Sequence, residues 1–454
     1  MKPIPDLVHS SDCSSRSLLF LLLPVMAEQL LVRLVGTADT VMISSAGEAA
    51  MSAVALINSL NNVFVHLFTA LVMGGAIVSG QHLGANHPEL ARQTTAQSLI
   101  LGLLLSSGLT VCLILFQEKI LTLTLGSAQI ALLIPGQLYF RITIFSLPTL
   151  ALSSAVSAAF RAVGDMLTPF LLSLGTNLLN IAGNYILLFV CKLGIMGIAT
   201  ATLAARLTGA VVATFLLFRP NYLFHPNAHD LFYPDLTNLR HIIRISLPYA
   251  AEDSFQHLGM LLVAGLSASF GVHASAAYAA AKSVGVFQML PAVAVSVVAS
   301  PIFAQCFGAK ARSSVRRWLQ RLLRVAMLGN VFDSLLILAF LPWLSQMFHL
   351  SQKGEGLFRW MLWINGIACI LLWPPAFLFS GLTRASGASG IALAVNLISM
   401  WVFQVALSFL LTQLGYGPQS IWLGMGASWL AQTLLLAAWL HTKTWQRRWE
   451  SDKR

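Results

Sequence analysis

Leu23-Pro24-Val25-Met26-Ala27-Glu28 and Leu247-Pro248-Tyr249-Ala250-Ala251-Glu252 share Leu-Pro and Glu in the same register, 224 residues apart. The spacing holds onward. Gly47 returns as Gly271, and Gln81, Gly84 and Ala85 return as Gln305, Gly308 and Ala309. Arg161, Gly164 and Gly194 return as Arg384, Gly387 and Gly417, now 223 apart. A single net deletion over such a length marks an internal duplication rather than chance matching of apolar runs. A duplicated apolar bundle commonly means a transporter, with its substrate site between the repeats.

Composition places the chain in a membrane. Charged residues are 9% of 454, against roughly 25% in soluble domains. Hydrophobic residues are 57%, and mean hydropathy is +0.77. A soluble fold could not hide that much apolar surface. Lipid can solvate it instead. Cys13, Cys112, Cys191, Cys306 and Cys369 show neither metal spacing nor a disulfide framework, and read as small packing residues. No cofactor motif stands out, and without a Walker motif ATP drive within the chain is not expected.

Twelve stretches have the length that crosses a hydrocarbon core, about 20 apolar residues each. The first half holds 17–44, 50–82, 91–116, 129–158, 166–190 and 195–218; the second holds 239–269, 274–307, 318–343, 357–383, 390–413 and 420–441. Segment 1–16 is polar, and the apolar run after it belongs to the repeat, so it does not read as a cleavable signal. Linker 219–238, with Pro220, His225, Pro226, His229 and Pro234, divides two six-helix lobes, 17–218 and 239–441. The tail 442–454 is basic.

Lys and Arg set the orientation. Arg92, Arg161, Arg219, Arg240, Arg244, Lys310, Arg312, Arg316, Arg317, Arg321, Arg324 and Arg384 border one set of connections, and the tail adds Lys443, Arg447, Arg448, Lys453 and Arg454. The opposite loops hold Lys119, Lys192, Lys353 and Arg359. The positive-inside rule puts both termini in the cytoplasm. The net charge of +11 then reflects topology and attraction to anionic headgroups. No basic module interleaved with aromatics is present, so nucleic acid is not expected as a partner. Two lobes of equal orientation imply an all-α polytopic protein with a pseudo-two-fold axis along the membrane normal and a cleft between lobes.

Leu23-Pro24 through Asp39-Thr40-Val41-Met42, then Gln81-His82-Leu83-Gly84-Ala85, resembles the start of MATE (multidrug and toxic compound extrusion) transporters of the bacterial type. Phe160-Arg161-Ala162-Val163-Gly164-Asp165 is similar to their connection between helices 4 and 5. Leu247-Pro248 with Glu252, Gln256 and Gly271, then Gln305 to Ala309 and Arg384 to Gly387, resembles the second lobe. The resemblance implies a V-shaped twelve-helix antiporter of the inner membrane. It would extrude cationic, amphipathic small molecules in exchange for H⁺ or Na⁺, and is expected to be a monomer.

A charge inside a span is costly, so each needs a reason. Asp39 lies toward the outer part of the first span. A carboxyl group in a water-poor cavity can exchange protons near neutral pH, or ligate Na⁺ with neighbouring oxygens; its structural alternative is an ion pair or a cap at a helix break. The resemblance marks Asp39 as the coupling carboxylate. Asn177, Asn180 and Asn184 fall three and four apart, on one helical face that should turn inward. The resemblance places a carboxylate-plus-amide cluster here. Some members carry an acid where Asn184 stands. Thr202 is a further candidate, though Thr is common at helix interfaces.

The second lobe has Met400, Phe403 and Leu407 at the matching positions. Its polar candidates are Glu252, Asp253, Gln256 and Lys282, read as a contact for a cationic substrate or a second coupling ion, or as a buried pair of Lys282 with Glu252 or Asp253. Glu28 is the mate of Glu252, with Arg33 nearby as a partner. Arg141 could neutralise a carboxylate, Arg206 falls in the cytoplasmic half of its span, and Asp333 has no assigned role. Gly84-Ala85 and Gly308-Ala309 read as left-handed helix stops. Pro24, Pro248, Pro374 and Pro375 should kink their spans.

Two rivals differ in class. Gly387-Ala388-Ser389-Gly390 matches the Gly-x-Ser-Gly pattern of intramembrane serine proteases, which need a base in reach; His349 and His441 lie at span ends. A lipid-linked precursor flippase of the same superfamily would more often carry a strongly cationic cavity.

Overall fold

The computed structural model describes residues 15–45, 47–125, 130–219, 224–232, 235–348 and 350–442. The tail residues Lys443, Arg447, Arg448, Lys453 and Arg454, most of segment 1–16, and Pro220 and Pro234 of the linker lie outside the described residues. Every described element is a helix.

In the first half these are α1 (Ser15–Ser44), α2 (Glu48–Gly84), α3 (Pro88–Leu115), α4 (Gln117–Leu125), α5 (Ile130–Ile144), α6 (Leu147–Val163), α7 (Leu167–Tyr185) and α8 (Gly194–Leu217). A short α9 (Ala228–Phe232) precedes α10 (Leu236–Ala268), α11 (Val272–Gln288), α12 (Leu290–Gly308), α13 (Arg312–Ala339), α14 (Leu341–Met347), α15 (Gln352–Leu371), α16 (Trp373–Ala385), α17 (Ser389–Ile398), α18 (Leu407–Gln413) and α19 (Gln419–Leu440). Wider π-helical turns extend α7 over Ile186–Val190 and join α17 to α18 over Ser399–Ala406.

Among the described residues nine helical stretches are long and apolar enough to cross a membrane. Two further pairs qualify as single bent spans: the end of α5 with α6, at 47°, and α15 with α16, at 43°. The expected seventh span is α10, whose middle carries Glu252, Asp253, Gln256 and His257 and is too polar to qualify on composition. The expected eighth is broken at Met289 into α11 and α12. Large apolar side chains stand exposed along these helices, Phe20, Leu104, Phe215 and Phe332 among them. Surface of that kind suits lipid, not water.

The chain packs as two compact units, 11–250 and, in the main, 251–454. In the first, α6 is the central element. Its buried face is Ala151, Ala155, Ala158, Ala159 and Ala162, small enough for α2, α3 and α8 to approach closely. Phe140, Ile144 and Leu147 close one apolar cluster; Phe160, Leu217 and Phe224 close another. The linker helix α9 is pinned to this unit by Arg92 Nε to Asp230 Oδ2 at 2.7 Å. In the second unit α12 plays the alanine-rich role, and Phe358, Met361 and Trp422 close the core.

The repeated motif at the end of α6 divides into three jobs. Arg161 forms an ion pair, Gly164 stops the helix in the left-handed region at φ 93°, and Asp165 Oδ1 accepts from the Leu167 and Thr168 amides to start α7. In the second copy Arg384 and Gly387 (φ 78°) keep the first two jobs, and Ala388 stands where Asp165 did. The glycines expected to stop α2 and α12 do not. Gly84 and Gly308 remain helical, and the left-handed residues are Asn86 (φ 62°) and Lys310 (φ 53°), two positions further on. Pro374 and Pro375 open α16 after the bend, where a first-turn proline costs no hydrogen bond.

Candidate functional site

Asp39 sits one turn before the end of α1, half-buried, and α1 packs against α7. Asn184 lies at the C-terminal end of α7 and is buried. Its Nδ2 donates to Asp39 Oδ1 at 3.0 Å and to Asn180 Oδ1 at 3.3 Å. Asn180 Nδ2 reaches Thr202 Oγ1 on α8 at 3.2 Å, and Thr202 donates to the Ile198 carbonyl one turn back. Tyr139 of α5 lies against Thr202, within electrostatic range of Asp39, and its hydroxyl donates to Asn58 Oδ1 on α2 at 3.0 Å. Five helices thus meet on one continuous polar network.

The i, i+4 spacing of Asn180 and Asn184 puts both amides on the side of α7 that meets α1 and α8. Asn177 departs from the expected face. It bonds within its own helix, to the Ser173 carbonyl at 2.8 Å and Ser173 Oγ at 3.2 Å. A guanidinium lies near this network. Arg206, halfway along α8, donates from Nη1 to Ser146 Oγ at 2.7 Å and lies within electrostatic range of both Asp39 and Tyr139. Tyr139, Ser146 and Asn58 were not foreseen. A tyrosine and a serine in apolar helices carry no periodic signal of their own.

A cation at Asp39 would draw on the Asp39 carboxylate, the amide oxygens of Asn180 and Asn184, and Thr202 Oγ1. The donor set fits poorly. Asp39 Oδ1, Asn180 Oδ1 and Thr202 Oγ1 already accept hydrogen bonds from within the network, and a guanidinium lies within electrostatic range of the acid. Asn184 Oδ1 is buried with no hydrogen-bond partner among the described residues.

The second-half candidates do not converge on one site. Glu252 is buried, and its partner is Arg384, not Lys282: Nη1 to Oε1 at 2.7 Å. Asn396 of α17 donates to the same oxygen and to Ser380 Oγ, which also takes a bond from Arg384. The pair repeats one in the first half, where Arg161 Nη2 grips both Glu28 oxygens at 2.7 and 2.9 Å; Arg33 is not the partner. Both halves of this device were visible as repeat mates, Glu28 with Glu252 and Arg161 with Arg384. Asn396 was missed, although an amide in an apolar helix was the available signal.

Glu252 Oε2 has no hydrogen-bond partner among the described residues. With Gln256, Gln404, Ser428 and Gln432 it lines a cavity of about 20 Å³, room for one water molecule. Asp253 lies beside His257 on the next turn, whose Nδ1 is 3.8 Å from its carboxylate. Lys282 is exposed on α11. Arg141 donates to Gln117 Oε1 at 3.1 Å rather than to a carboxylate. Ser389 Oγ is buried with no hydrogen-bond partner among the described residues; His349 lies outside them. Gly387 beside it is the left-handed stop of α16, the mate of Gly164.

The sequence matches the MatE family over residues 24–186 and 248–410, one match in each half. It is 24% identical over 448 residues to a probable multidrug resistance protein NorM of Thermotoga maritima, covering 95% of this chain and 93% of that one. An uncharacterized transporter, YisQ, of Bacillus subtilis is 23% identical over 438 residues, 93% of each chain. A solved structure of a MATE protein in complex with MaL6 superposes at a TM-score of 0.89 with 18% identity, covering 99% of both chains. At that identity the likeness concerns the fold. The two matched stretches begin at Pro24 and Pro248, the two prolines with which the duplication opened. The chain is a multi-pass membrane protein of the MatE family, with the two-lobe MATE fold.

Proposed function

We propose that this protein is a secondary active exporter of the multidrug type, driven by an inward flow of H⁺ or Na⁺ and extruding cationic, amphipathic small molecules. Asp39 is its coupling carboxylate. The observation that carries the reading is the placement of Asp39: an acid inside a helix long and apolar enough to cross a membrane, held by the Asn184 amide in a network that joins five helices. An ionisable group so placed is expensive unless it works. The relatives' names, multidrug resistance protein among them, support export. The ion favours one arrangement of the first lobe and the substrate favours the other, and linkage makes that antagonism reciprocal. In this reading lobes 17–218 and 239–441 sit in the inner membrane as a monomer, with linker 219–238 and both termini in the cytoplasm.

A lipid-linked precursor flippase is disfavoured by the interior charges. In the first half Arg161 neutralises Glu28 and Arg206 lies within electrostatic range of Asp39, and the second holds the neutralised Glu252–Arg384 pair. A one-water cavity at Glu252 is far below the roughly 300–1,000 Å³ of a drug site. Glu252 and Gln256 would therefore touch a substrate only through a single small group, such as an ammonium. Asp39→Asn in proteoliposomes tests the main reading. The variant should insert normally and lose gradient-driven efflux; near-normal efflux would remove Asp39 from the mechanism.

A further inference from the structure

We propose that Arg206 is a resident cation that bars Na⁺ from the Asp39 site, so that the first lobe exchanges protons alone. The inference rests on Asp39 as the coupling carboxylate and specifies which ion that carboxylate takes. Three observations carry it. Arg206 stands halfway along α8, one turn on from Thr202 and on the same helix face, anchored by Nη1 on Ser146 Oγ at 2.7 Å and within electrostatic range of Asp39. The oxygens that would have to surround Na⁺ are already accepting hydrogen bonds from one another's amides. Asn184 presents its Nδ2, not its oxygen, to Asp39, and leaves Oδ1 buried with no hydrogen-bond partner among the described residues.

A sodium ion needs several converging oxygens and a net negative site. Here a guanidinium that cannot lose its proton lies within electrostatic range of the acid, so an added metal ion would meet repulsion without a cage. A proton has neither requirement. It leaves water and bonds covalently to one Asp39 oxygen. The Asn184 amide can then turn over, and its Oδ1, now without a partner, accepts the new O–H. An amide offers a donor to the carboxylate and an acceptor to the carboxylic acid; a second carboxylate in its place could not donate to the charged form. Protonation also ends the attraction between Asp39 on α1 and Arg206 on α8. That is a differential interaction of the kind a two-state lobe requires. The titratable groups at the site are Asp39, Tyr139 and Arg206, from α1, α5 and α8.

The test uses full-length protein in detergent, with NaCl compared against choline chloride at equal ionic strength, and reads radiosodium binding and melting temperature. Wild type and Arg206→Lys should show neither saturable binding nor a Na⁺-specific shift. Arg206→Met should gain both, and Asp39→Asn added to it should remove them. Saturable Na⁺ binding by the wild type that Asp39→Asn abolishes overturns the proposal. So does a monodisperse Arg206→Met, or Arg206→Gln, that gains none. Should both variants aggregate, transport decides: a Na⁺ gradient without a pH gradient must drive no efflux through the wild type, and efflux under it overturns the proposal. If Asp39→Asn exports normally under a pH gradient, the coupling role of Asp39 fails. If the wild type is driven by Na⁺ and needs Asp39, only the exclusion by Arg206 fails.

Discussion

Arg384 holds an acid that has few other partners. The side chains of Glu252 and Arg384 are 7% and 11% exposed, and Asn396 and Ser380 complete the shell. Removing one partner of a buried pair strands the other charge, at a cost of about 3–5 kcal/mol. We therefore expect Arg384→Met to destabilise the protein by about that amount in chemical denaturation in detergent, and Glu252→Gln with Arg384→Met to recover much of the loss. An Arg384→Met protein as stable as wild type would contradict the pairing. The mate pair, Glu28 with Arg161, is more exposed at 11% and 19%, and its rupture should cost less. A second contrast separates residues of one helix face. Asn184→Ala removes a bond to Asp39 worth roughly 1–3 kcal/mol, so coupling should fall about five- to a hundred-fold. Asn177→Ala removes bonds within its own helix and should leave coupling nearly unchanged in the same efflux assay.

Helices in this chain pack by small residues, and one contact has no slack. A Cβ built on Gly74 of α2 would lie 2.7 Å from the Ser246 backbone nitrogen of α10. Backbone cannot yield as a flexible side chain does. Gly74→Ala should force α2 and α10 apart and cost about 1–3 kcal/mol, read as a lower melting temperature. Gly36 of α1 has open space at the same test, so Gly36→Ala is the control and should be neutral or slightly stabilising. The bends belong to this scale too. Pro374 and Pro375 start a new helix after a turn of 43°, while Pro24 and Pro248 stay inside continuous helices. π-helical turns follow Asn184 in the first half and join α17 to α18 in the second, and such turns often accompany functional positions.

For the whole molecule, the asymmetry of Lys and Arg makes an experimental demand. Cysteines introduced into 220–236, or after 445, should react with a membrane-impermeant thiol reagent only from the cytoplasmic side. Cys112 and Cys191 are exposed and should be replaced first; Cys306 and Cys369 are buried. Labelling of either segment from outside intact cells would reverse the orientation.

Much of this architecture is written along the chain. The duplication, the apolar spans and the family could all be read without coordinates, because hydropathy and spacing are linear properties and lipid selects for them directly. Asn180 and Asn184 followed from helical period alone. What the linear pattern left undecided is which way each helix turns about its axis and where it bends. Those depend on packing against neighbours distant in sequence. Asn177 bonds within its own turn, Glu252 pairs with Arg384 rather than Lys282, and Arg206 lies within electrostatic range of Asp39. A difference of one residue in register, or a small rotation of α8, would have sent that guanidinium elsewhere. Charge inside a membrane is settled by the nearest opposite charge or amide, and only the tertiary structure says which group that is.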